Sequence, residues 1–434
     1  MKYVSFLYGA LALWLLMPVS GQAAGTLSLE QAEQMALHNN PALAAAGKQA
    51  EAMAAIPSQA GSLPDPKLSF NAMNLPVDSF STTQENMTQL QVGISQAIPF
   101  PGKLGLKAEA AERMAAAALQ NRQEFQLALL RNTRIHWWNL AYLDKALSII
   151  RYNQDLLRNL VKIAETKYKT GKGLQQDVLL AQLELSKLLE RELKIQAARE
   201  RESATLNSLL GRPADTVIVL PRQSEHNLEA TRVDNAALKK WAREHRPMLL
   251  AMADQVDAAD ALVALAEKDY YPDFNIGAAY GLRSGINPVN RNPRPDFASI
   301  MLTMSVPLYS GSKQDKAVDQ RMAEKARAQF SREDAANQVE AEIDSAASDL
   351  RIARNQVALF EKGILPQARQ TTASMLAGYQ VNKVDFLNLV RAQLSEFNTD
   401  IQYWQQISLA HQAEARLAAA AGKEHLNRDV INHE

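Results

Sequence analysis

Two stretches of this chain read alike: Tyr168-Lys-Thr-Gly-Lys-Gly-Leu-Gln-Gln-Asp177-Val-Leu-Leu-Ala181-Gln182 and Tyr379-Gln-Val-Asn-Lys-Val-Asp-Phe-Leu-Asn388-Leu-Val-Arg-Ala392-Gln393. They stand 211 residues apart and keep a tyrosine, a turn and an Ala-Gln pair in one register. Upstream of each lies a long Ala/Leu/Gln/Glu stretch, and before that a short alternating run closing in a Pro/Gly turn. Those turns are Ile98-Pro99-Phe100-Pro101-Gly102-Lys103 and Val306-Pro307-Leu308-Tyr309-Ser310-Gly311-Ser312-Lys313. Farther back, Leu37-His38-Asn39-Asn40-Pro41 answers to Arg243-Glu244-His245-Arg246-Pro247. Self-similarity at a fixed spacing makes the chain two copies of one unit. The boundaries drawn from it are a signal peptide at 1–23, a first repeat at 24–220, a second at 221–422 and a polar tail at 423–434.

The stretch 103–170 contains no proline and a single glycine near its start, Gly105. A helix of that length reaches roughly 100 Å, against about 30 Å for a bilayer core. Its scattered Arg, Glu, Lys and Gln place it in water, beside partners. Ala108, Ala111, Ala115 and Ala118 predict a narrow seam for close helix packing. After the turn at Gly171-Lys172-Gly173, Leu174, Val178, Ala181, Leu185 and Leu188 form one stripe. In the second copy the stripe is Leu387, Val390, Leu394, Phe397, Ile401 and Trp404, again at the three-four rhythm of bundled helices. The second long helix, from about residue 313, is expected to be interrupted at Gly363 and Pro366.

Before each long helix sit two runs of period two: Leu68-Ser-Phe70-Asn-Ala72-Met and Leu90-Gln-Val92-Gly-Ile94-Ser-Gln, then Phe274-Asn-Ile276-Gly-Ala278-Ala-Tyr280 and Ile300-Met-Leu302-Thr-Met304-Ser-Val306. Each reads as a strand with one greasy and one wet face. Four strands leave open edges, whereas a small closed barrel takes about eight. A sheet in lipid must pair every backbone polar group, so such a chain closes its wall only with further copies of itself.

The ends and composition agree with export. Lys2, an apolar run at 3–17 and Gly21-Gln22-Ala23 have the order of a cleaved signal. No other stretch is apolar enough for a helical span. Cysteine is absent, which rules out disulfides, thiolate chemistry and a lipidated N-terminal cysteine. Lys+Arg and Asp+Glu number 47 each, so nothing points to nucleic acid.

With these residues in view, the chain resembles the outer-membrane factor family, the TolC-like exit ducts of Gram-negative bacteria. The likeness rests on the duplicated order, the Ile-Pro-Phe-Pro-Gly-Lys turn and the paired Tyr…Ala-Gln hairpins. It implies an α+β, mainly α fold: four strands contributed to a trimeric, twelve-stranded outer-membrane barrel, with a coiled helical tunnel hanging into the periplasm. It further implies a homotrimer whose tips dock a periplasmic adaptor linked to an inner-membrane RND pump. The segment from Gln96 to Leu106 is most similar to the heavy-metal branch, of cobalt-zinc-cadmium or copper-silver type; the missing cysteine favours the former. By the same likeness the tip, gate and docking positions are Tyr168, Gly171, Asp177, Ala181, Gln182, Tyr379, Asn388, Arg391, Ala392 and Gln393. The barrel-to-helix turns are Pro99, Pro101, Gly102, Pro307 and Gly311. Val384 stands where the family often has an arginine, so an Asp177–Arg391 contact is a substitute latch, the alternative being that both are ordinary solvated residues.

Catalytic chemistry is not expected. The seven histidines (38, 136, 226, 245, 411, 425 and 433) show no metal-ligand spacing, and the methionines do not cluster. His136-Trp137-Trp138 reads as helix-interface packing. No cofactor is implied. Drug efflux and one-step protein secretion use the same kind of duct. A periplasmic adaptor or soluble coiled-coil scaffold is the competing class, though an adaptor has one hairpin rather than two.

Overall fold

The computed structural model describes residues 26–221 and 233–426. The expected signal peptide at 1–23, most of the tail, His226 and His433 lie outside the described residues.

The first half opens with α1 (Leu29–Asn39), α2 (Pro41–Ala54) and α3 (Ile56–Gly61). Ser28 and Gln31 form a reciprocal cap on α1, and the Asn40 side chain caps α2 just ahead of Pro41. The hairpin β1 (Lys67–Met73) and β2 (Gln89–Ile98) comes next, then α4 (Lys103–Lys169) and α5 (Gln175–Leu209). The second half repeats this order with α6 (Asn235–His245), α7 (Pro247–Lys268), β3 (Phe274–Leu282), β4 (Phe297–Met304) and α8 (Gln314–Leu359). A π-helical turn, Phe360–Ile364, then leads into α9 (Leu365–Gln380) and α10 (Phe386–Ala420).

At 67 residues α4 is the spine, about 100 Å long. Along its first half pack α2, α3 and α7; along its second half pack α5 and α10, with α8 beyond α10. No helix among the described residues is long and apolar enough to cross a membrane.

The expected alanine seam proves to be one of two small-residue faces on α4. Ala108 lies beside Gly61 and Arg122 beside Gly47, so the seam meets α2 and α3, where its alanines stay half-buried. The fully buried pair is Ala110 and Ala117, on the side where Arg113 reaches Asp254 and Asp257 of α7. Three partner helices share this part of α4, and the sequence stripe marked the face toward α2 and α3 but not the one toward α7. The stripes beyond the hairpin turns also shift: Leu174 and Leu387 are exposed, and burial in α10 begins at Phe386, Leu389 and Val390. Those residues join Ile150, Leu157, Leu160, Ala181, Leu188, Tyr379, Phe397 and Ile401 in one core that binds the two helical hairpins together.

Pro366 bends the expectation too. The helix is not broken: Leu365 N–H donates five residues back to Phe360 O, and the widened turn takes up the missing donor and the ring of a proline in the first turn of α9.

The four strands form one antiparallel sheet, β1-β2-β3-β4, so the two repeats join at β2 and β3. Register puts Leu68, Ile94, Ala278 and Ile300 in one lane and Phe70, Val92, Tyr280 and Ala298 in the next on the same face. The opposite face carries lanes such as Ser69, Gly93, Ala279 and Ser299. β4 starts three residues earlier than its apolar run suggested and ends before Val306.

Candidate functional site

The sheet is apolar where a soluble protein would be polar. Phe70 is 77% exposed and Ile300 89%, with Leu68, Val92, Ile94 and Leu302 open beside them. No helix among the described residues covers that face, and β1 and β4 each present an unpaired edge. In water such a surface is an aggregation hazard; in lipid it is the required outer coat of a barrel.

At the opposite end of α4 the two turns superimpose in register. Gly171 has φ +71° and Asn382 +57°, each three residues after its tyrosine. Lys172 N–H donates to Lys167 O and Lys383 N–H to Gly378 O, both at 2.8 Å. Glycine and asparagine are the residues that tolerate this left-handed position, so one turn is written two ways.

The repeated residues diverge in surroundings. Tyr168 is half exposed, while Tyr379 is buried against Phe386, their ring centroids 5.4 Å apart. Ala181 and Ala392 are both buried; Gln182 is exposed, and Gln393 donates to Asn153 Oδ1 at 3.2 Å across the hairpins. Burial, and then the nearby Asp177 carboxylate, push the Tyr379 phenol above its usual pKa. Asp177 thus faces the tyrosine, whereas Asn388 and Arg391 are exposed on α10, away from its core stripe. Within one chain Asp177 and Arg391 form no ion pair.

The residue that ties the hairpins is Lys167, which sequence reasoning passed over. Its ammonium donates to Tyr379 O at 3.0 Å and to Asn382 Oδ1 at 2.8 Å, and lies 3.9 Å from the centre of the Tyr379 ring. The only hint in the sequence is that it directly precedes the repeated tyrosine.

The sheet-to-helix turns form a second cluster. Gly102 caps α4 at φ +92°, a conformation the Pro99-Phe100-Pro101 run leads into. Lys103, 5% exposed, is held by Asp269 at 2.9 Å and Asp273 at 3.0 Å, and Asp273 also accepts Phe100 N–H at 2.8 Å. Phe100 stacks on Tyr271 at 4.5 Å. Burial works to raise the Asp273 pKa, but the Phe100 N–H and the Lys103 ammonium outweigh it, leaving the carboxyl below its usual range. The second turn, with Pro307 and Gly311, lacks this clamp: Gln314 takes the buried first position of α8, and Lys313 is exposed. His136 meets Glu202 at 2.7 Å, Trp137 donates to Leu27 O, and Trp138 stacks on His411, so this odd triplet is helix packing.

The sequence matches the family described as "Outer membrane efflux protein" over residues 32–212 and 238–423. It is 23% identical over 414 residues to the "Cobalt-zinc-cadmium resistance protein CzcC" of Cupriavidus metallidurans, covering 93% of this chain and 91% of that one. The "Alkaline protease secretion protein AprF" of Pseudomonas aeruginosa is 22% identical over 58% of this chain and 53% of its own. Among solved structures, the fold is similar to CusC (TM-score 0.78, 18% identity, covering 92% of this chain and 93% of that one). It is also similar to VceC of Vibrio cholerae (TM-score 0.76, 20% identity, covering 91% and 96%).

Proposed function

We infer the role of this chain from one premise: it belongs to the outer membrane efflux protein family. It is therefore an outer-membrane efflux channel, a transport protein and not an enzyme, with its helical tunnel in the periplasm. We propose that three copies join β4 of one to β1 of the next, completing a twelve-stranded barrel above a bundle of long helices. The observation that carries this is the sheet with an apolar exposed face and two open edges. The proposed cargo is heavy-metal cations, a reading favoured by a relative named for metal resistance that matches nearly end to end, while the secretion relative matches about half.

The two repeats, 24–220 and 221–422, would supply alternating hairpins to the tip. There Tyr168, Gly171, Asp177, Ala181, Gln182, Tyr379, Asn388, Arg391, Ala392 and Gln393 would meet a periplasmic adaptor coupled to an inner-membrane RND pump. Planar-bilayer recording of the detergent-extracted protein tests the duct: a stable pore from a trimer supports it, and a monomer soluble without detergent ends it. Deleting the gene and scoring cobalt, zinc and cadmium tolerance tests the cargo; unchanged tolerance to all three would remove the metal assignment.

A further inference from the structure

The chain is charge-balanced overall, yet its two tip segments are not. Residues 159–183 and 370–395 hold six cations against three carboxylates, Glu165, Asp177 and Asp385, a net +3 per chain that a trimer gathers to +9. Lys167 is engaged in the cross-hairpin contacts described above. The other five cations, Lys162, Lys169, Lys172, Lys383 and Arg391, are exposed, and no carboxylate among the described residues neutralises them. The balancing negative charge lies elsewhere along the chain, not in these two segments. The four strands carry one charged side chain, Lys67, and the face opposite their apolar lanes is otherwise uncharged, mostly Ser, Thr, Gly, Ala, Asn and Gln with Met73, Phe297 and Met301. A net positive charge therefore sits where the hairpins turn.

We propose that the tip is an anion-favouring filter, passing small anions over cations while the hairpins are gathered together. The inference rests on the duct reading and extends it. Fixed charge acts over about 8 Å at physiological ionic strength, so a mouth narrower than roughly twice that distance lies wholly inside the field. A divalent cation is repelled twice as strongly as a monovalent one. At rest the filter bars metal ions from leaking back to the periplasm. Drawn apart, the same charges fall outside one another's screening distance, and an outbound cation meets no barrier.

The test is the reversal potential of purified trimer in a neutral planar bilayer under a tenfold KCl gradient. The expected chloride-to-potassium permeability ratio is about three or more at low salt, falling toward one as salt is raised. Arg391→Asp combined with Lys383→Gln should bring the ratio to one or below, with the trimer intact by size exclusion. Lys67→Gln should leave it where it was. A wild-type ratio at or below one overturns the filter, as does a ratio that Lys67→Gln moves and the tip substitutions do not. A folded trimer with no pore refutes the duct itself, and the filter falls with it.

Discussion

Removing the ammonium of Lys167 should loosen the second hairpin without unfolding the tunnel. Lys167→Met keeps most of the aliphatic stem and deletes the bonds to Tyr379 O and Asn382 Oδ1 together with the contact over the Tyr379 ring. The site is half-buried, so the two hydrogen bonds contribute about 0.5–1 kcal/mol each and the cation–π contact about 0.5–1 kcal/mol. Their sum, about 2 kcal/mol, corresponds to roughly a thirtyfold rise in the population with the turn released. Hydrogen exchange read by mass spectrometry on peptides covering 379–386 is the direct assay, since local opening sets amide exchange there. Exchange in those peptides should accelerate by about that factor, while peptides from 190–205 keep the wild-type rate. Lys172→Met, at an exposed position with no contact to lose, should do nothing. Asn382→Gly preserves the left-handed turn but removes one acceptor. Its effect should be smaller, and the double substitution should fall short of the sum because the two residues share a bond. Identical exchange in Lys167→Met and wild type would show that the clasp holds nothing.

Three further outcomes test other levels of the structure. Ile94→Lys, on the exposed apolar lane, should cost about 2–4 kcal/mol in lipid and prevent trimer recovery, whereas Ser95→Lys on the other face should assemble; equal behaviour of the two would invert the face assignment. A Cβ on Gly378 would meet Val384 Cγ2 at 2.5 Å, so Gly378→Ala should destabilise the tip by about 1–3 kcal/mol and Val384→Ala should relieve it, both read from the urea midpoint of the purified protein. Because the Asp273 carboxyl is held below its ordinary value, its contribution is present above about pH 4 and is lost as pH falls through the lowered pKa. The wild-type melting temperature should therefore drop in that acid range, and Asp273→Asn should start lower and show a smaller drop; parallel curves would exclude Asp273 as the acid-sensitive group.

The elements were legible because their signals are local. Period-two runs marked all four strands within a few residues, and the absence of proline from 103–170 marked the spine. The π turn was not legible, since the sequence shows Pro366 but not how the helix absorbs it. The tip was half legible. Register located Gly171 and Asn382, yet which tyrosine is buried depends on which hairpin lies beside it in space. Lys103 and Asp273 are 170 residues apart, and Lys167 and Asn382 are 215 apart. A single sequence gives no reason to join either pair; only the alignment of β2 with β3 and of α4 with α10 brings them together.

The same alignment implies where a trimer would open first. Three of the contacts that join the repeats within a chain mark its barrel, its turns and its tip: the β2–β3 ladder, Lys103 to Asp273, and Lys167 to the Tyr379–Asn382 turn. A trimer needs their counterparts between chains. The sheet supplies one in the free edges of β1 and β4, and the turns supply another in exposed Lys313 and Asp65, which comes after a proline as Asp273 does. At the tip the equivalent position lacks the group: Gly378 precedes Tyr379 as Lys167 precedes Tyr168, so this position offers no ammonium to a neighbouring first hairpin. The ring of hairpins would then alternate three clasped seams within chains and three unclasped seams between them. An adaptor pulling outward would part the unclasped seams first, and each chain's two hairpins would move as one body. Crosslinking cysteines across the within-chain seam should therefore leave channel opening intact, while crosslinks between chains should abolish it; the reverse result would place the hinge inside the chain.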